Sequence, residues 1–85
     1  MPAITMYTSA TCPYCINAER LLRSKGAEHI EKVRIDLDLQ RRDEMMQKSG
    51  RRTVPQIWIG ERHVGGFEDL RALDLKGELD SLLAG

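Results

Sequence analysis

The chain predicts an α/β fold built on a small mixed sheet. Two periods interleave along its 85 residues. Short β-prone segments alternate at residues 4–8, 33–37, 56–59 and 63–64, and helical stripes lie between and after them. Helical crossovers join parallel strands, whereas the tight turn Gly60-Glu61 forces the last two strands to pair antiparallel. The order β-α-β-α-β-β-α-α therefore gives a four-stranded sheet of mixed direction with helices on both faces.

The first strand is Ile4-Thr5-Met6-Tyr7-Thr8, and Ser9-Ala10-Thr11 leads from it to a helix that starts at Cys12. Proline at position 13 suits the first helical turn, where its missing N–H would have no partner in any case. Cys15, Ala18, Leu21 and Leu22 trace the buried stripe, and Gly26 is the stop. Val33, Ile35 and Leu37 alternate with Arg34 and Asp36 as the second strand. Leu39 to Ser49 carries Leu39, Met45 and Met46 at helical spacing, closed by Gly50; the methionines read as core packing rather than a metal box. Gln56-Ile57-Trp58-Ile59 is the third strand and His63-Val64 the fourth. After Gly65-Gly66, a brief helix spans Phe67 to Leu73, and Asp74 is placed to cap a last one bearing Leu75, Leu79, Leu82 and Leu83.

Eighty-five residues make a single domain, 1–85, without repeats, linkers or low-complexity segments. Thirteen basic and thirteen acidic residues cancel, which argues against nucleic acid or an anionic membrane as partner. No apolar stretch approaches the ~20 residues of a membrane span. The start Met1-Pro2-Ala3-Ile4-Thr5-Met6 has neither the basic end nor the apolar centre of a signal peptide, so a reducing cytoplasm is the expected compartment.

Cys12-Pro13-Tyr14-Cys15 carries the chemistry, because these are the chain's two cysteines, spaced two residues apart at a helix start. Thiol exchange runs through the thiolate, which unpaired N–H groups and the helix dipole stabilise at such a position. The spacing lets a second sulfur reach a disulfide formed on the first, so Cys12 is the expected nucleophile and Cys15 the resolving thiol. Half a zinc site and two unreactive core thiols are the competing readings. Zinc would need two further ligands, and only His29 and His63 remain, neither at ligand spacing. Both histidines fit ordinary surface or boundary positions.

Three landmarks in order, Cys12-Pro13-Tyr14-Cys15, Thr53-Val54-Pro55 and Gly65-Gly66-Phe67-Glu68-Asp69, make the whole chain resemble a dithiol glutaredoxin, the small bacterial ones in particular. The resemblance implies a thioredoxin-like fold and a glutathione groove beside Cys12. Pro55 matches the family's cis-proline, although the residues alone would favour a trans proline opening a strand. With Thr53 before it, Val54 would pair its backbone with the cysteinyl unit of glutathione like an added strand. Gly66 and Phe67 match the helix start that receives the γ-glutamyl carboxylate. Asp69, with Glu68, would face the ammonium; acids in a first helical turn also serve the dipole without any ligand. Tyr14 would wall the groove, or stand simply as an exposed motif residue. Arg42 matches a position that meets the glycyl carboxylate, and a solvated helix face explains it nearly as well. Where the family usually has lysine, three residues before the first cysteine, this chain has Ser9. Arg42 or Arg52 would be left to compensate.

The activity implied is glutathione-dependent thiol–disulfide exchange. Mixed disulfides of glutathione would need only Cys12, and protein disulfides would need Cys12 and Cys15. Glutathione is then a co-substrate, with no tightly bound cofactor. Glutathionylated or disulfide-containing proteins are the implied partners, ribonucleotide reductase among the family's expected ones. Glutathione reductase and NADPH would act indirectly on what is expected to be a monomer. Two other classes remain open at this point: a redoxin served by a thioredoxin reductase, and a module holding an iron–sulfur cluster between two protomers. The glycine-rich third landmark disfavours the first, and the stiffening Pro13 the second.

Overall fold

A computed structural model describes residues 1–85 as a thioredoxin-like fold: a four-stranded mixed sheet and four helices. The strands are β1 (Ile4–Thr8), β2 (Ile30–Arg34), β3 (Gln56–Ile59) and β4 (Arg62–Gly65), in the spatial order β2-β1-β3-β4. β1 pairs parallel with β2 and antiparallel with β3, and β3 pairs antiparallel with β4. The helices are α1 (Pro13–Ser24), α2 (Leu39–Ser49), α3 (Phe67–Leu75) and α4 (Glu78–Ala84).

The period of two in the strands divides the core. Ile4, Met6, Ile57 and Ile59 point to one face and pack with Ala18 and Leu22 of α1, Leu70 of α3 and Leu79 and Leu83 of α4. Tyr7, Val33, Ile35 and Trp58 point to the other and pack with Met45 of α2. Both faces are thus covered, and the ends of β1 and β3 are left as the place where α1 begins.

Four sequence expectations shift. The crossover through α2 does not deliver a parallel strand, since β3 runs antiparallel to its neighbour β1. The second strand lies at Ile30–Arg34 rather than at 33–37, with Ile30 opposite Ile4 and Arg34 opposite Thr8. Ile35 is buried and still donates its N–H to the Thr8 carbonyl, but Asp36 folds back onto Arg34 through two bonds of 2.8 and 2.7 Å, and Leu37 ends 75% exposed. Leu39 is likewise exposed, so the α2 stripe rests on Met45; the helix is started by Asp38, whose Oδ1 accepts from the N–H of Gln40 at 3.0 Å. At the C-terminal end Asp74 caps nothing. Its carboxylate meets Lys25 Nζ at 2.8 Å, α3 runs on to an exposed Leu75, and Gly77, at φ +76°, breaks α3 from α4.

Candidate functional site

Cys12 is the N-cap of α1. Its backbone is extended, and its Sγ accepts the Cys15 N–H at 3.2 Å, a role in which oxygen-bearing side chains are commoner. Pro13 follows at the first helical position. The sulfur therefore sits where the orphan amides of the helix converge. It also faces the Val54 carbonyl at 3.6 Å, across a Val54–Pro55 peptide bond that is cis, as the resemblance implied. Both cysteines are free and lie mostly inside the surface, Cys12 at 9% exposure and Cys15 at 3%.

Burial pushes the Cys15 thiol up to about 11, with the contact to Cys12 adding to the rise and hydrogen bonds from Thr8 and Ser9 opposing it. Cys15 is accordingly a protonated thiol at neutral pH. An alkylating agent at about neutral pH should then add once per chain, at Cys12, in intact-mass and peptide spectra. A second addition on the folded protein would contradict the burial of Cys15.

A groove of about 290 Å³ opens beside Cys12, lined by Tyr14, Thr53, Val54, Pro55, Gly66, Phe67, Glu68 and Asp69. Eight of the nine positions expected to contact ligand thus share one wall-to-wall cleft. Arg42 is the exception, on the exposed face of α2 and absent from the lining. Tyr14, 59% exposed, leans toward Phe67 with ring centroids 6.5 Å apart, so the two rings frame the groove on one side. At the far end Asp69 Oδ2 accepts the Gly66 N–H at 2.9 Å. That amide is already partnered, which leaves the amides of Phe67, Glu68 and Asp69, in the first turn of α3, as the open donors.

Ser9 lies elsewhere. It lines a separate cleft of about 430 Å³ with Thr8, Ala10, Cys15, Ile16, Glu19, Lys32 and Arg34. The two cations there are engaged, Lys32 with Glu19 at 3.2 Å and Arg34 with Asp36 at 2.7 Å.

Sequence reasoning missed three residues around the groove. Gln56, fully buried in β3, donates from Nε2 to the Thr53 carbonyl at 2.9 Å. Its Oε1 meets His63 Nε2 at 2.8 Å, so His63 carries its proton on Nε2 there. The ring of His63 also stacks on Trp58 at 4.5 Å. The third is Arg51, whose Nη1 reaches Asp69 Oδ2 at 2.7 Å. A polar residue inside an otherwise apolar strand was a legible signal for Gln56. The Arg51 pairing, 18 residues apart, left none.

The glutaredoxin family pattern matches residues 4–64. A glutaredoxin of Neisseria meningitidis is 53% identical over 83 residues, 98% of each chain. Glutaredoxin 3 of Escherichia coli is 49% identical over 83 residues, 98% of this chain and 99% of its own. Among solved structures, the dithiolic glutaredoxin 2-C-Grx1 of Trypanosoma brucei brucei superposes with a TM-score of 0.86 at 38% identity, over 96% of this chain and 87% of its own. With its paired cysteines at the start of α1 and its matched sheet order, the chain belongs to the glutaredoxin family.

Proposed function

We propose that the chain reduces glutathione mixed disulfides by a monothiol route and protein disulfides by a dithiol route, with glutathione as the electron donor in both. The observation that carries this is the meeting of the Cys12 sulfur with the mouth of a groove that ends in open helix amides and a carboxylate. Glutathione has the matching parts: a sulfur to place at Cys12, a peptide backbone to lie along Val54, and a γ-glutamyl zwitterion for the start of α3.

In the monothiol route the Cys12 thiolate attacks the glutathione sulfur of a protein–glutathione disulfide. The protein leaves as a thiolate and takes up a proton, and Cys12 is left joined to glutathione. A second glutathione thiolate attacks that same glutathione sulfur, forming oxidised glutathione and returning Cys12. One free glutathione is thus consumed per mixed disulfide, the other half of the oxidised glutathione coming from the substrate itself. In the dithiol route Cys12 first joins one sulfur of the protein disulfide. Cys15 then attacks Cys12 Sγ, expelling the protein thiolate and closing a Cys12–Cys15 disulfide that two glutathiones reopen.

Burial, before the contact with Cys12, holds Cys15 protonated, so it is Cys12 that opens both proposed routes.

The test is a coupled assay with a small glutathione mixed disulfide, glutathione, glutathione reductase and NADPH. Saturable dependence on glutathione is the expected result. Turnover supported only by a thioredoxin reductase system would refute the reading.

A further inference from the structure

The two walls of the groove come from separate stretches of chain. Thr53-Val54-Pro55 leads into β3, and Gly66 to Asp69 opens α3. One ion pair straps them together: Arg51, two residues before Thr53, donates from Nη1 to Asp69 Oδ2 at 2.7 Å. Its origin is fixed by the turn that ends α2. Gly50 takes φ +72°, the Ser49 Oγ accepts the Arg51 N–H at 3.0 Å, and the same hydroxyl donates to the Arg51 carbonyl at 3.2 Å. On the other wall, Asp69 Oδ2 also holds the Gly66 N–H, and no hydrogen bond within the chain reaches Oδ1.

Gly65 makes room for this arrangement. A Cβ at that position would run into the Asp69 carboxyl and stand 3.0 Å from Arg51 Nη1, on a backbone whose φ of +116° already disfavours any side chain. The Arg51 guanidinium, and after it the Gly66 amide, hold the Asp69 carboxyl below its ordinary range, with a smaller contribution from His63. Asp69 is therefore ionised and fixed in place before any ligand arrives.

We infer that Arg51 is a positioning residue for the γ-glutamyl end of glutathione, holding Asp69 so that Oδ2 caps α3 and Oδ1 is left to meet the ligand's ammonium. This rests on the glutathione reading above. Without Arg51, Asp69 keeps only the Gly66 N–H, and its carboxylate is less firmly held for the ammonium.

Arg51→Met removes the charge and keeps the aliphatic stem. In the coupled assay it should raise the KM for glutathione about two- to fivefold, the scale of a half-exposed ion pair, with kcat changing less. Arg51→Lys should recover part of the loss. A glutathione analogue lacking the α-amino group should bind the unaltered protein more weakly, and Arg51→Met should cost it little more, because the ammonium that Asp69 serves is gone. An unchanged KM in Arg51→Met, or an equal penalty for the analogue, would overturn the inference. A ligand-free measurement separates this from failure of the glutathione reading: the Asp69 carboxyl, followed by NMR, should titrate at higher pH in Arg51→Met than in the unaltered protein. If its titration does not move, Arg51 does not hold Asp69, whatever the co-substrate proves to be.

Discussion

Replacing Cys12 with serine is expected to abolish turnover of both glutathione mixed disulfides and protein disulfides. Both proposed routes begin with the same sulfur, and a serine hydroxyl is neither ionised near neutral pH nor able to form and release a disulfide. Loss of a covalent nucleophile typically costs on the order of 10³–10⁶ in rate, so the variant should fall to the background of the uncatalysed exchange. The fold gives an unusually clean control. Cys12 is the N-cap of α1, and serine is among the preferred residues at that position. The helix should therefore start as before, and the thermal midpoint should hold or rise while activity vanishes. Measurable turnover in a folded, purified Cys12→Ser protein would reassign the nucleophile.

That the proposed nucleophile is also the helix cap explains why so much of the site was legible in the sequence. A C-x-x-C pair with proline at the first helical position places a sulfur over the helix amides by local geometry alone. The order of elements followed from equally local signals, the glycines at 26, 50 and 60 and the strand periods between them, whereas the direction of β3, antiparallel to β1 despite the helical crossover before it, did not. The groove was a different matter. Its walls meet through long-range packing, and only the family likeness brought Thr53, Val54 and Pro55 next to residues 66–69.

Where reading failed, side-chain pairings that periodicity does not register decided. Leu37 continued a perfect alternation, yet the Arg34–Asp36 fork turned the chain before it could join the sheet. Asp74 looked like a cap and was taken by Lys25, 49 residues earlier, leaving Gly77 to end the helix. Arg42 and Arg51 show the same limit at the site itself. Both are exposed arginines near α2, and composition cannot rank them. The Ser49–Arg51 turn and the position of Asp69 bring Arg51 onto the groove wall, whereas Arg42 stays on the helix's outer face.

Cys15→Ser should separate the two reactions. Removal of glutathione from a mixed disulfide needs Cys12 and a second glutathione alone, so it should persist at or above the unaltered rate, since no internal disulfide can compete. Reduction of a protein disulfide should fall steeply. The mixed disulfide on Cys12 would lose a neighbour held one helical turn away, in contact with the reacting sulfur. Well-oriented intramolecular groups reach effective concentrations on the order of 10⁵ M or more, against millimolar external thiol, so even a small share of that advantage is worth about a hundredfold or more. Raising glutathione should recover part of the loss, because an external thiolate can attack the same mixed disulfide, only more slowly. The substitution is mild for the fold, because serine is smaller than cysteine and fits the space the thiol leaves. Both activities should be measured on one preparation across a range of glutathione concentrations. Equal loss of both would sink the monothiol route and leave an obligatory dithiol cycle.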